Sequence, residues 1–326
     1  MKKADSATSD GQTASRPDSA SGTVDNQHEN GPSFSVDGVT MVAQRLPAGL
    51  NVVATPIGNL ADITIRALQT LAGADLIACE DTRHSRKLLD HYRIRTPLTA
   101  YHEHNAAMRR PELLKQLADG HAIALISDAG TPLVSDPGFK LVEAAIADGC
   151  SVVPVPGPSA ALASLVGAGL PTDRFMFCGF LSSKANARER QLKSVAEVQA
   201  TLVFYEAPNR VTATLDAMTK HLGSQRPAVL AREITKRFET FERGTLSELA
   251  ACLAGRTIKG ECVILVAPAL DTPSLSIDDP ALAERLARAV AELGVKAASV
   301  SLADETGLQR RALYQRALEL APKSEE

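Results

Sequence analysis

Four loops and one cationic stretch hold most of the residues in this 326-residue chain that could bind or transform a ligand. The richest loop is Ser127-Asp-Ala-Gly-Thr-Pro-Leu-Val-Ser-Asp-Pro-Gly138, with two Asp, two Gly and two Pro between an apolar run and a helical pattern. A plain connection needs about 2–6 residues, so a loop of this length can present main-chain amides, hydroxyls and carboxylates to a polar ligand. Thr55-Pro-Ile-Gly-Asn-Leu60 follows another apolar run, where open α/β sheets place ligands. It is neither a Walker loop nor G-x-G-x-x-G, so the two commonest nucleotide fingerprints are absent. Val155-Pro-Gly-Pro-Ser-Ala160 supplies small residues against which a flat ring could lie. Val203-Phe-Tyr-Glu-Ala-Pro-Asn-Arg210 sets an acid and a guanidinium at a strand end.

The cationic stretch runs from Arg83 to Arg110 and carries seven Lys/Arg and four of the seven His. Further basic clusters fall at 184–193 and 232–243. Against a net charge of −3, such local patches suit a phosphate backbone, although solvated helix faces explain them equally well. His102-x-His104 lacks the spacing and extra ligands of a zinc site, so no metal is expected.

The elements that must position these loops alternate. Apolar β-type runs at 50–55, 75–80, 97–101, 121–127 and 151–155 are separated by helical patterns, which indicates a parallel α/β sheet. Asp62 is expected to cap the first helix, and Pro111–Leu117 reads as another. Beyond Pro156-Gly-Pro158 the strands at 174–178, 201–205, 228–231, 239–242 and 262–266 lie closer together, with hairpin spacing near 233–244, so a mixed sheet is expected. The expected divisions are 1–46, a disordered extension poor in apolar residues; 47–157, an N-terminal α/β domain; 158–269, a C-terminal α/β domain; 270–280, a linker; and 281–322, a helix-turn-helix-like appendage.

Composition narrows the classes. Hydrophobic residues make up 44% and charged residues 22%, as in soluble globular chains, and aromatics only 4%, too few for a site of stacked rings. Five scattered Cys without C-x-x-C argue against a disulfide framework and fit a reducing, cytoplasmic setting. The longest apolar stretch, 160–170, is too short to span a bilayer, and no charged-then-apolar signal is visible at the N-terminus.

Taken in order, Ala54-Thr-Pro-Ile-Gly-Asn-Leu60, Cys79-Glu-Asp-Thr-Arg83, Tyr101-His-Glu-His-Asn105, Ser127-Asp-Ala-Gly-Thr-Pro132, Pro156-Gly-Pro-Ser159, Phe204-Tyr-Glu-Ala-Pro208, Ala231-Arg-Glu-Ile-Thr-Lys236 and Lys259-Gly-Glu261 resemble the tetrapyrrole-methylase superfamily of S-adenosylmethionine-dependent methyltransferases. The resemblance is closest to its rRNA-acting branch. It covers about residues 48–268, and the helical tail also looks like that branch's extension. It implies a two-domain class III methyltransferase fold, a homodimer and S-adenosylmethionine held between the domains. By motif position the cofactor would meet Pro56, Ala129, Thr131, Val134, Ser159, Ala160, Tyr205 and Ala231, largely through main chain. The implied reaction is in-line 2′-O-methylation of a cytidine in 16S rRNA, within the small ribosomal subunit. Such a transfer needs alignment and a proton acceptor, for which Glu80, Asp81, Glu103 and His104 are the candidates, with the choice open. Arg66, Arg83, Arg86, Lys87, Arg109, Arg110 and Arg188 are candidates for RNA contacts. Porphyrin-acting members carry Gly-Asp-Pro where this chain has Gly130-Thr-Pro132, which shifts weight from the alternative, carbon methylation of a tetrapyrrole.

Overall fold

The chain enters its fold earlier than its composition suggests. In the computed structural model, which describes residues 31–135, 138–269, 277, 279–306 and 308–320, β1 (Ser33–Val36) and β2 (Val39–Val42) form an antiparallel hairpin. Phe34 is 1% exposed and packs with Leu68 and Leu71, and Ala43 is buried beside it. The expectation of disorder through residue 46 is therefore corrected for 33–46: a few well-spaced apolar residues suffice when a neighbouring domain supplies the rest of the core. Residues 1–30 of that extension lie outside the described residues, as do Asp136 and Pro137 of the long loop, 270–276 and Asp278 of the linker, and Gly307.

The first large sheet is all parallel. Its strands are β3 (Gly49–Val53), β4 (Leu76–Cys79), β5 (Leu98–Ala100), β6 (Ala122–Leu125) and β7 (Val152–Val155), in the order β5-β4-β6-β3-β7. The central β6, Ala-Ile-Ala-Leu, is buried throughout, as a strand covered on both faces must be. Helices α1 (Ile65–Gly73), α2 (Thr82–His91), α3 (Ala106–Ala118) and α4 (Phe139–Ala147) supply the covers. Two clusters result, one around Leu71, Ile77 and Leu89, the other around Leu50, Leu117, Ile123 and Leu141. Two helix starts differ from expectation. Thr64, not Asp62, caps α1, its hydroxyl accepting from Ala67 N at 3.0 Å. Helix α3 begins at 106 rather than 111, because Asn105 ties the preceding turn: Oδ1 accepts from His102 N and Nδ2 donates to Ala100 O.

After α5 (Ala160–Ala168) comes a mixed sheet of β8 (Phe175–Phe180), β9 (Thr201–Glu206), β10 (Pro227–Arg232), β11 (Thr240–Thr245) and β12 (Cys262–Val266), in the order β11-β10-β12-β9-β8. Only β8 and β9 are parallel. Helix α5 packs on one face through Leu165 and Ala168. Helices α6 (Ala185–Val195), α7 (Val211–Leu222) and α8 (Leu246–Leu253) bury Leu192, Leu215, Met218 and Leu249 on the other. Three further helices, α9 (Pro280–Leu293), α10 (Val295–Thr306) and α11 (Arg310–Leu320), close on Leu282, Leu286, Ala298, Leu302 and Leu313. Asp279 caps α9 with Pro280 in its first turn, a favoured pairing.

Candidate active site

The loops after β3, β6 and β7 are bonded to one another rather than free. Thr55 and Gly130 exchange two backbone hydrogen bonds, at 2.9 and 3.0 Å. Thr55 Oγ1 donates to Ser127 O at 3.3 Å, and Thr131 Oγ1 donates to Pro158 O at 3.1 Å. Within the long loop, Leu133 (φ 72°) and Ser135 (φ 65°) are left-handed without being glycine. Strain of this kind is retained where surrounding contacts fix a loop for a task.

These loops wall a hollow of about 390 Å³ against the second sheet. On one side stand Ala129, Gly130, Thr131, Val134, Ser159 and Ala160; on the other Phe180, Tyr205, Glu206, Ala207, Pro208 and the 260–263 segment. The Tyr205 hydroxyl accepts from Ala161 N at the start of α5 (3.1 Å), and its ring meets Phe177 and Phe180 edge-on. Glu206 is buried, and its carboxylate is already engaged. It accepts from Ala207 N (2.9 Å) and Thr214 Oγ1 (2.6 Å) and pairs with Arg210 Nε at 3.2 Å. The unusual strand–acid–Pro–Arg order is thus a brace for the turn into α7. At the rim, Lys236 Nζ lies between Glu233 Oε1 (3.0 Å) and Glu261 Oε2 (3.1 Å). Burial opposes the charge on Lys236, but the two carboxylates outweigh it and raise its pKa. Its stem runs over Gly58, where a Cβ would sit 2.4 Å from Lys236 Cε. The second domain therefore rests on the first loop.

A second hollow of about 280 Å³ lies beside the first, over the carboxyl ends of β3, β4 and β6. Thr55, Pro56, Gly58 and Leu60 form one wall, His84, Ser85, Lys87 and Leu88 of α2 another, and Ile126 to Asp128 the third. Asp128 lines both hollows. Its Oδ1 accepts from Asp81 N at 3.0 Å. Asp81 itself caps α2: its carboxylate accepts from Arg83 N (2.8 Å), Nε (3.2 Å) and Nη2 (3.0 Å), which holds its pKa down at about 2. Cys79, behind them, has its thiol pKa raised by burial.

Six of the eight residues expected at the cofactor, Ala129, Thr131, Val134, Ser159, Ala160 and Tyr205, gather in the first hollow. Pro56 faces the second. Ala231 does not line either; it is fully buried in β10, paired with Val263 and packed among the α5 cluster. None of the four acid–base candidates lines a hollow. Asp81 is a cap, Glu80 is half-buried just past β4, and Glu103 and His104 stand exposed in the turn before α3. Of the cationic candidates only Lys87 lines the second hollow. Arg83 is tied to Asp81, and Arg109 to Glu112 (2.6 Å) and Thr99 (2.5 Å). Arg66 is exposed at the start of α1, Arg86 and Arg110 are half-buried on α2 and α3, and Arg188 lies away on α6. Sequence reasoning noticed the carboxylates of the long loop and the histidines of the basic stretch. It did not single out Asp128 or His84, because only the packing of α2 against the loops brings them to one cavity.

Residues 49–250 match the family model described as Tetrapyrrole (Corrin/Porphyrin) Methylases, and 276–321 match that described as RsmI C-terminal HTH domain. Among solved structures, a diphthine synthase superposes with a TM-score of 0.54 at 14% identity, covering 67% of this chain and 89% of its own. A cobalt precorrin-4 methyltransferase gives 0.51 at 17%, covering 68% and 95%. Two α/β domains with a loop-walled hollow between them thus define a methyltransferase of the tetrapyrrole-methylase fold.

Within that class the chain belongs to the ribosomal RNA small subunit methyltransferase I family. The protein of that name from Mesorhizobium japonicum is 52% identical over 87% of this chain and 96% of its own length. Those from Synechocystis sp. and Pseudomonas aeruginosa are 48% and 49% identical, over 83% and 84% of this chain and 98% of theirs.

Proposed function

We propose that this chain transfers a methyl group from S-adenosylmethionine to a cytidine ribose 2′-hydroxyl of 16S rRNA. The observation that carries the reading is the similarity to small-subunit rRNA methyltransferases along nearly their whole length, helical extension included. Tetrapyrrole-acting structures resemble the chain in fold alone, at identities near 17–18%.

The first hollow fits the donor. Its volume, about 390 Å³, lies in the range of small-molecule sites, and its lining is mostly apolar with a few polar groups. Small side chains at Ala129, Gly130 and Ala160 leave main chain accessible to a nucleoside. Glu206 is neutralised by its own partners, so it adds no open carboxylate. When bound, the donor supplies an electrophilic methyl carbon on a cationic sulfur. Tyr205, Phe180 and Val134 would hold it and exclude water; the bonded loops at Thr55, Gly130 and Thr131 would fix its orientation against the second hollow. That hollow would receive the acceptor, with His84 and Lys87 at its exposed rim meeting phosphate.

The chain acts as a homodimer. Edge strand β8 leaves Phe175 and Met176 exposed, and helix α5 leaves Leu162 and Val166 exposed, apolar side chains that a second copy would cover. Its place is the cytoplasm, where five free cysteines are at home. Among the described residues no helix is long and apolar enough to cross a membrane.

The test is methyl transfer from labelled S-adenosylmethionine to small subunits lacking the modification, with the nucleotide mapped. Label on one cytidine 2′-oxygen is expected. Label on a base, or on a tetrapyrrole instead of subunits, would overturn the reading.

A further inference from the structure

The second hollow carries an inference that rests on the reading above and goes past it. We infer that Asp128 is the residue that takes the proton from the attacking ribose hydroxyl, and that the pocket it shares between the two hollows receives the target nucleoside.

Three observations carry this. The first is position. Among the described residues Asp128 alone lines both cavities, which places it at their junction. The second is elimination among the described carboxylates that line the hollows, with the neighbouring Asp81. Glu206 is enclosed by Arg210, Thr214 and Ala207 N. Glu261, at the outer rim, is paired with Lys236. Asp81 is spent on capping α2 and on Arg83, and its pKa near 2 makes it a weak acceptor. The third is orientation. Asp128 Oδ1 is fixed by the Asp81 amide at 3.0 Å, while Oδ2 makes no hydrogen bond among the described residues. A base so held meets the geometric requirement before any question of acidity.

The size and rim of the second hollow define its ligand. About 280 Å³, walled by Pro56, Leu60, Leu88 and Ile126, accommodates a single nucleoside rather than a helix. The exposed side chains of His84 and Lys87 stand where the flanking backbone would pass. In the step itself the 2′-oxygen gives its proton to the Asp128 carboxylate as it bonds to the methyl carbon. The carbon–sulfur bond breaks with its electron pair left on sulfur, and the proton then passes from Asp128 to solvent.

Asp128→Asn is the discriminating variant, because an amide oxygen can still accept from Asp81 N while the basic group is gone. Single-turnover methyl transfer should fall about a hundredfold or more. Calorimetric affinity for S-adenosylmethionine and filter-binding affinity for unmodified small subunits should stay within about threefold, a range of ordinary scatter for a retained site. Ultraviolet crosslinks from the target nucleotide should map to peptide 84–88 or 55–60 in both wild type and D128N. A D128N rate near wild type, or a loss explained by cofactor release, overturns the catalytic assignment. Crosslinks confined to other peptides overturn the pocket. If wild type itself fails to label subunits yet binds the donor, the functional reading fails first, and D128N is then not the cause.

Discussion

The two hollows are built from different materials. The first is closed by both halves of the molecule and is lined by small side chains, main chain and aromatic edges; the buried carboxylate among its described residues, Glu206, is consumed by internal partners. The second belongs to the first half alone and carries side chains that remain available, His84 and Lys87 at the rim and Asp128 at the shared wall. The contrast teaches where each kind of work is done. Holding a neutral nucleoside moiety calls for shape and fixed dipoles, whereas holding a polyanion and moving a proton calls for charge.

The sharpest way to break that contrast is Glu206→Ala. If Glu206 is structural, its loss strands Arg210 and costs about 3 kcal/mol or more of stability, read by urea unfolding. Methyl transfer per folded molecule should suffer far less than in D128N; the opposite ranking would make Glu206 part of the chemistry. Next in size is Ala160→Phe, which fills the first hollow. Overpacking of about 2 kcal/mol predicts a roughly thirtyfold loss of affinity for S-adenosylmethionine by calorimetry, with subunit binding retained. A parallel loss of subunit binding would mean that the hollows are not separate sites.

Lys87→Ala should act on the other side only. It should weaken subunit binding several-fold and reduce the slope of log affinity against log salt by about one, leaving donor affinity alone. An unchanged slope would remove Lys87 from the phosphate path. The smallest effect is expected from Asp81→Asn. The folded-state pKa of Asp81 is depressed to about 2, so its contribution is present above the ordinary carboxylate value and lost as pH falls through about 2. The stability deficit of D81N should therefore be constant above about pH 5 and shrink below about pH 4, and salt should reduce it because the pair with Arg83 is exposed. A deficit that grows on acidification would contradict the assignment.

How much of this could be read from the chain alone follows the same division. The parallel sheet was legible because buried strands such as Ala122–Leu125 are continuous apolar runs. The mixed sheet was legible because short spacing near 233–244 forces the β10–β11 hairpin. The first hollow was legible only through the order of its loops, since a main-chain site leaves little trace in residue type. Ala231 is placed apart from that hollow: it shares a motif with Lys236, yet alternation along β10 turns its side chain into the core. The acid–base candidates are placed differently. Glu103 and His104 have suitable chemistry but sit in an exposed turn, whereas Asp128 reaches the junction only because Asp81 N and the Thr55–Gly130 bridge fold its loop inward. The hairpin at 33–42 was hidden because Phe34 finds its core in α1, far along the chain.

The division of labour between the hollows is tested most directly by hydrogen–deuterium exchange with each ligand separately. S-adenosylmethionine alone should slow exchange in peptides spanning 127–135, 159–163 and 204–208. Unmodified small subunits alone should slow it in 55–60 and 84–88. Protection of one common set of peptides by both ligands would contradict the central claim that donor and acceptor occupy separate, adjoining sites.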